Sequence, residues 1–507
     1  MRETPPPPPA VPASDSPKEQ KRENALATLR QSRHTEPAFA EALGSLRALA
    51  EEGDVLAALH VADLHAQIVA LPDRWREAAR YYALAARGGQ PAARDRLGDL
   101  HLLGLGVERS ARRALECWLE TARSGYPIGF GHLAYAFEYG LGTPPDPLAA
   151  DRALLWAAAF ASPYGFLRLG WRWAGHGGSL TRPDLAWACA RVAADFRYPH
   201  GTTLLEEIDG TIEDDARQRG ESAYRLLAGY ATHLEQAVAE LERRDPALLA
   251  DGGRFHSWIA ERFAPVGHTL GLRLEPVSLP PVGSGGGSWE LEERAALDLP
   301  PVRLLDPEGL VAETPTFASL PDCAHVMELV YHELRPSGAL VGELGEESSH
   351  EHESFDGFSA LLDFTRADVV VHGLRARLRA LLGVPEERIE PFSVLRYLPG
   401  NRYRPHVDAL DETRLAEARR RGDHGGQRLL TFLVTLSAAR RGGETLYPRL
   451  GLTVPGRTQG AVWHRNADAQ GRRDERLLHE GRPILEGEKW LLRTSIRARA
   501  LSSGAEG

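Results

Sequence analysis

Residues 396–410 read RYLPGNRYRPHVDAL, and within this stretch His406 and Asp408 are separated by a single residue. Side chains two positions apart on an extended strand point to the same face, so this spacing places an imidazole beside a carboxylate. A β-barrel can bring a second histidine from a distant strand to the same point, and we assign this role to His479. Two imidazoles and one carboxylate occupy one face of an octahedral Fe(II) and leave three positions open. The pattern therefore predicts a mononuclear metal site in a β-barrel.

A lysine follows the second histidine in the sequence. Lys489 comes ten positions after His479, enough for a turn and one further strand that returns to the barrel mouth. Lys489 precedes Trp490 and Leu491, an apolar setting in which an ammonium must be paired. We therefore expect Lys489 to meet a carboxylate group of a bound ligand.

Three stretches carry a family resemblance: 396–410, 442–452 (GGETLYPRLGL) and 477–490 (LLHEGRPILEGEKW). They resemble the catalytic domain of the prolyl 4-hydroxylases, which are Fe(II)- and 2-oxoglutarate-dependent dioxygenases, over about residues 299–499. The resemblance implies the following site residues: iron ligands His406, Asp408 and His479, a binding set for the far carboxylate of 2-oxoglutarate formed by Lys489, Thr431 and Tyr397, and Tyr403 on the substrate side of the iron. It also implies that L-ascorbate rescues iron oxidised in uncoupled turnovers.

The resemblance leaves the substrate open. It implies a peptidyl proline, but the family often places an aromatic about six residues after the lysine, where this chain has Ser495. Two alternatives therefore stand beside a protein prolyl hydroxylase. One is a dioxygenase that acts on a free small molecule, and the other is a scaffold with a vestigial oxygenase.

Composition narrows the class of protein. The chain has 507 residues, too many for one core, and its net charge of −10 argues against a general nucleic-acid binder. Three cysteines fit a reducing compartment rather than a disulfide framework. The Pro-rich start lacks the apolar core of a signal peptide, and the longest apolar run, ALLWAAAFA at 153–161, is too short to span a membrane. We expect a cytoplasmic protein that does not contact membranes.

The first half of the chain repeats itself every 36 residues. Tyr82, Trp118 and Leu154 recur in phase, and alanines recur at 50, 86, 122, 158 and 194. Small residues let helices pack closely, and a two-helix unit of this length must stack on its neighbours to bury its apolar face. The stretch 76–107 is similar to a SEL-one-like repeat, a relative of the tetratricopeptide repeat. This resemblance favours a surface that docks a protein substrate, and the negative charge suggests a basic one.

These observations predict an all-α helical-repeat solenoid followed by a double-stranded β-helix (jelly-roll) dioxygenase domain with buttressing helices. We expect a disordered Pro-rich tail over 1–24, repeats over 25–207, a helical and linker segment over 208–298, and the dioxygenase domain over 299–500. Residues 342–357 and 410–427 are predicted to form lids over the active site.

Overall fold

The structure is a computed structural model, and it describes residues 16–32, 34–68, 71–281, 289–297, 299–336, 355–420, 425–468 and 470–501. Most of the predicted lid at 342–357 lies outside these residues, as do residues 282–288 and 298 of the predicted helical and linker segment. Helices fill the first part of the chain and antiparallel strands dominate the last part. The predicted fold class is thereby confirmed.

Paired helices build the repeat region. Their boundaries follow local chemistry, since Asp54, Ser110 and Asp146 each accept a backbone N–H at a helix start. Gly104 and Gly140 end helices with φ of 70°, a conformation that glycine adopts without strain. The helices are α1 (Pro17–Gln31), α2 (Pro37–Glu51), α3 (Val55–Gln67), α4 (Arg74–Arg87), α5 (Pro91–Leu103), α6 (Ala111–Arg123), α7 (Ile128–Tyr139), α8 (Pro147–Ala159), α9 (Pro163–Trp173), α10 (Pro183–Asp195) and α11 (Gly201–Asp209).

The 36-residue period marks equivalent buried positions. Tyr82, Trp118 and Leu154 lie in α4, α6 and α8, and each is fully buried, Tyr82 in one apolar cluster and Trp118 and Leu154 in a second. One boundary differs from the sequence prediction. Helix α1 begins at Pro17, inside the stretch predicted as a tail, because proline fits the first turn of a helix, where its missing N–H costs nothing.

Among the described residues, four helices connect the repeats to the barrel. The first helix of the segment predicted as helical and linker is α12 (Asp214–Arg244). It is followed by α13 (Pro246–Ala250), α14 (Gly252–Leu270) and α15 (Leu291–Leu297).

Two antiparallel sheets form the barrel. The larger has the order β1-β2-β11-β7-β14-β5-β4-β3 and the smaller β10-β9-β12-β6, while β13 pairs with β8. The strands are β1 (Arg303–Leu304), β2 (Val311–Thr314), β3 (Arg335–Pro336), β4 (Phe358–Leu362), β5 (Phe392–Tyr397), β6 (Tyr403–His406), β7 (Arg428–Ser437), β8 (Arg441–Gly442), β9 (Thr445–Tyr447), β10 (Leu452–Val454), β11 (Ala461–Arg465), β12 (His479–Gly481), β13 (Ile484–Glu486) and β14 (Lys489–Arg497).

Helices accompany the barrel as expected. The buttressing helices are α16 (Leu320–Val330) and α17 (Val369–Leu382). Both pack against repeat helices, and both share an apolar cluster with strands of the larger sheet. Part of the second predicted lid is helical, as α18 (Glu412–Arg420). Within the described ranges, every helix is too short or too polar to cross a membrane.

Candidate active site

The candidate metal ligands meet on the smaller sheet. Strands β6 and β12 are neighbours, and His406 pairs directly with His479 in their register. Asp408 lies just beyond the end of β6 and is buried. The barrel thus brings the three residues together although 73 positions separate the two histidines in the sequence.

The three side chains converge at one point. Nε2 of His406 lies 3.4 Å from Oδ1 of Asp408, and Nε2 of His479 lies 3.9 Å from Oδ2 of the same carboxylate. One ligand atom from each residue lies within 4.8 Å of the others. Adjacent ligands of an octahedral metal, at bond lengths of about 2.1 Å, lie about 3 Å apart, so the donors are close enough to share an ion after small side-chain movements.

Backbone contacts leave both Nε2 atoms available. The Nδ1 atom of His406 lies 2.8 Å from the carbonyl oxygen of Arg404, and Nδ1 of His479 lies 2.9 Å from that of Leu477. A neutral imidazole that donates its Nδ1–H to a carbonyl presents a bare Nε2, which is the form that binds a metal.

Electrostatics favours the charge states that metal binding needs. Burial alone would raise the pKa of Asp408, but Arg493, His406 and His464 together hold it well below its usual range. Burial, with a contribution from His464, lowers the pKa of His479 well below that of a free histidine. The site therefore presents a carboxylate and a neutral imidazole, and this donor set fits Fe(II).

The predicted lysine faces the same pocket. Lys489 begins β14 opposite Tyr397 of β5, and both residues line the pocket with the three ligands. The Lys489 ammonium donates to the carbonyl oxygen of Gly443 at 2.5 Å and lies 5.8 Å from the Tyr397 ring centre. Burial lowers the pKa of Lys489 to about 8, although Glu444 opposes the shift. Tyr403 also lines the pocket, and its ring stacks on that of His406 with 3.8 Å between centres.

Thr431 contacts one of the metal ligands. Its hydroxyl donates to Oδ2 of Asp408 at 2.6 Å and accepts from Nδ2 of Asn466 at 2.9 Å. The structure thus gives Thr431 a contact with the carboxylate ligand, and a direct role in binding 2-oxoglutarate stays a prediction.

His464 contacts the carboxylate and Tyr447 contacts His464, and neither residue was singled out from the sequence. Nε2 of His464 lies 3.2 Å from Oδ2 of Asp408, and Nδ1 of His464 lies 2.7 Å from the Tyr447 hydroxyl. With the tyrosine donating to Nδ1, the histidine donates to the carboxylate. His464 lies on β11 within AVWHR, which reads as an ordinary buried strand, so the sequence carried no signal for its role.

Thr445 and Arg493 also line the pocket. Thr445 lies on β9 in the quoted stretch GGETLYPRLGL, and Gly481 of β12 is its partner in the sheet register. Nη2 of Arg493 lies 3.2 Å from Oδ1 of Asp408. Strand periodicity could have found Arg493, because positions 489, 491 and 493 of one strand face the same side.

We expect Thr431→Val to weaken metal binding about 10- to 100-fold, because loss of a hydrogen bond to a ligating carboxylate typically has this effect. The volume of the side chain hardly changes. Titration with Mn(II) measures the affinity, and Thr435→Val is the matched control because Thr435 lies four residues further along the same strand. Unchanged metal affinity with a raised KM for 2-oxoglutarate would instead place Thr431 at the co-substrate.

Comparison with known proteins agrees with the geometry. No family model matches the chain. The chain is 29% identical over 202 residues to probable prolyl 4-hydroxylase 6 of Arabidopsis thaliana, an alignment that covers 36% of this chain and 67% of the relative. It is 29% identical over 271 residues to prolyl 4-hydroxylase subunit alpha-3 of Homo sapiens, covering 53% of this chain and 46% of the relative.

A solved structure of the viral collagen prolyl hydroxylase from Paramecium Bursaria Chlorella virus-1 is 22% identical, with a TM-score of 0.29, and covers 38% of this chain and 97% of its own. The chain thus spans two thirds of the plant relative and less than half of the human one. The β-barrel domain of this chain is similar in sequence to prolyl 4-hydroxylases, and paired helices precede it.

Proposed function

We propose that this protein is an Fe(II)- and 2-oxoglutarate-dependent dioxygenase that hydroxylates a prolyl residue of a protein substrate. The similarity to proteins named prolyl 4-hydroxylases supports the reaction class. The observation that carries the proposal is a buried ammonium, that of Lys489, in the pocket that also holds the His406, Asp408 and His479 triad.

Lysine is rare in this chain, so its presence at position 489 supports a specific role. Only three of the 60 basic residues of the chain are lysines, and the other two, Lys18 and Lys21, lie near the start of the chain. The Lys489 ammonium is buried and, among the described residues, has no carboxylate within ion-pair distance. A buried cation without an anionic partner is costly, and a ligand carboxylate would provide that partner.

Each residue of the candidate active site has a separate proposed role. When bound, Fe(II) and 2-oxoglutarate supply the redox chemistry that side chains lack, namely oxidative decarboxylation coupled to hydroxylation of a C–H bond. His406, Asp408 and His479 would hold the metal, and Lys489 would fix the far carboxylate of the co-substrate. Tyr403, stacked on His406, would face the substrate. L-ascorbate as a reductant stays a prediction.

We further propose that the helical repeats dock the protein substrate. The chain carries 70 acidic against 60 basic residues, and this excess favours a basic partner. A docking surface on the same chain raises the local concentration of substrate at the barrel, and such linkage can be worth about 10²–10⁴ in apparent affinity.

A mass-spectrometric search tests the proposal directly. Lysate proteins are incubated with the enzyme, Fe(II) and 2-oxoglutarate, and peptides are searched for a +16 shift on proline. The control is an identical incubation with the Asp408→Ala variant. Turnover of 2-oxoglutarate that is stimulated only by small molecules, with no shifted protein, would overturn the protein substrate in favour of the small-molecule alternative.

We expect Lys489→Met to raise the KM for 2-oxoglutarate roughly 10- to 150-fold, because a charge-assisted contact is worth about 1.5–3 kcal/mol. Iron affinity should change little, since Lys489 is not among the ligand groups. Steady-state succinate formation gives the KM, and Lys18→Met, at an exposed lysine of α1, is the matched control. An unchanged KM would move the anchor to another cation of the pocket, with Arg493 the first to test.

A further inference from the structure

Phe355 lies between two tyrosines of the pocket. Its ring centre is 5.0 Å from that of Tyr397, in an edge-to-face arrangement, and 5.3 Å from that of Tyr403. Tyr397 belongs to β5 of the larger sheet and Tyr403 to β6 of the smaller one. The Phe355 side chain is buried and shares an apolar cluster with both tyrosines. One buried ring therefore contacts a pocket residue from each sheet of the barrel.

The main chain restricts where this ring can lie. Phe355 forms an antiparallel β-bridge with Tyr403, so its backbone is attached to β6. Gly357 then passes close to the ring and to β5. A Cβ atom at position 357 would lie 2.6 Å from Cζ of Phe355 and 2.8 Å from the carbonyl oxygen of Arg396. The absence of a side chain at position 357 thus makes room for the Phe355 ring.

The two tyrosines face different parts of the site. Tyr397 pairs with Lys489 in the register of β5 and β14, and the Lys489 ammonium lies 5.8 Å from the Tyr397 ring centre. Burial raises the pKa of Tyr397, so its hydroxyl stays protonated and can donate to a carboxylate. Tyr403 instead stacks on His406, one of the candidate metal ligands. Phe355 therefore contacts both the proposed co-substrate end and the metal end of the pocket.

We propose that Phe355 is a positioning residue of the active site: it holds the Tyr397 ring in the orientation that binds the far carboxylate of 2-oxoglutarate, and it holds the Tyr403 ring against His406. The proposal rests on the function proposed above. A side chain that is free to move must be ordered when its ligand binds, and this ordering costs affinity. An edge-to-face aromatic pair is worth a factor of about 2–12 in an equilibrium constant. Loss of the Phe355 ring should weaken co-substrate binding by a factor in this range.

The first test is Phe355→Leu, which keeps an apolar side chain but removes the aromatic pairs. The KM for 2-oxoglutarate, measured by succinate formation, should rise about 5- to 10-fold. The affinity for Mn(II) should stay within about twofold of the wild-type value, because Phe355 is not among the ligand groups. A merely structural role would not separate these two quantities.

Phe392→Leu is the matched control. Phe392 is buried on the same strand as Tyr397, but it packs in a different apolar cluster. Both leucine variants should therefore lower the melting temperature, whereas only Phe355→Leu should raise the KM. Equal KM values for the two variants, or a wild-type KM for Phe355→Leu, would make Phe355 an ordinary core residue and overturn the inference.

Gly357→Ala tests the same contact from the other side. The added methyl group must displace the Phe355 ring or the backbone at Arg396, and the KM for 2-oxoglutarate should rise. In the Phe355→Leu background the ring is absent, so Gly357→Ala should raise the KM by a smaller factor than it does alone. Equal factors in the two backgrounds would count against the proposal, and so would an unchanged KM for Gly357→Ala if Phe355→Leu does not fold. A wild-type protein that forms no succinate from 2-oxoglutarate would overturn the proposed function instead.

Discussion

Replacement of His406 or His479 by alanine is expected to abolish iron binding and succinate formation from 2-oxoglutarate. Two remaining protein ligands cannot hold a divalent metal tightly, so the loss should reach the detection limit of the assay. Metal content by mass spectrometry and succinate formation measure the two effects. The matched control is His332→Ala, an exposed histidine of the same domain, which should behave as the wild type.

A neighbouring histidine should not rescue the His479 variant. His464 lies close by, with 4.5 Å between the two ring centres, but both of its ring nitrogens already have partners. One faces Asp408 and the other faces the hydroxyl of Tyr447. Succinate formation at the wild-type rate by both alanine variants would contradict the metal assignment.

The ligand triad could be predicted because its geometry is local or follows from strand periodicity. Strand β6 ends at His406, yet His406 and Asp408 still line the same pocket. Lys489 is the first residue of β14 and also lines this pocket, as its position in the sequence suggested. Thr431 shows where this reasoning stops. A strand pattern shows on which face of the sheet the Thr431 side chain lies. Whether Thr431 contacts Asp408 depends on the stagger of their strands along the barrel axis, which is set by long-range packing.

The packing of the repeats against the barrel domain could not be predicted from the sequence. The 36-residue period shows that helix pairs stack on one another, but it does not show what packs against the outer face of the helix stack. In the structure, Leu320 and Ala324 of α16 and Val369 of α17 belong to the same apolar core as the repeat helices. Nε2 of His200, after α10, lies 2.7 Å from the carbonyl oxygen of Leu436 in β7. The repeats are therefore part of the packing of the oxygenase as well as a proposed docking surface.

A buried arginine ties the two regions together. Arg168 of α9 donates to Glu138 of α7 and to Asp322 of α16, both at 2.6 Å. The Arg168 and Asp322 side chains are 2% and 4% exposed. Glu138 has a second partner, Arg172 at 3.2 Å, whereas the charge of Asp322 has no other ion pair among the described residues. Asp322 also closes the capping box at the start of α16, so its position affects a buttressing helix of the barrel.

We expect Arg168→Met to lower the free energy of unfolding by about 3–5 kcal/mol, because it leaves the Asp322 carboxylate buried without a counter-charge. Urea unfolding followed by circular dichroism measures the change. Arg191→Met is the matched control: Arg191 pairs with Asp195 on α10, but these side chains are 44% and 43% exposed, and an exposed pair contributes less than about 1 kcal/mol.

A second substitution separates the buried charge from the lost side-chain packing. Adding Asp322→Asn to Arg168→Met removes the unpaired charge, while the amide oxygen can still accept from the Ser319 N–H of the capping box. The double variant should therefore recover part of the stability, which gives a coupling free energy between the two positions. Equal destabilisation by Arg168→Met and Arg191→Met, or no recovery with Asp322→Asn, would show that this ion pair does not hold the repeats to the barrel.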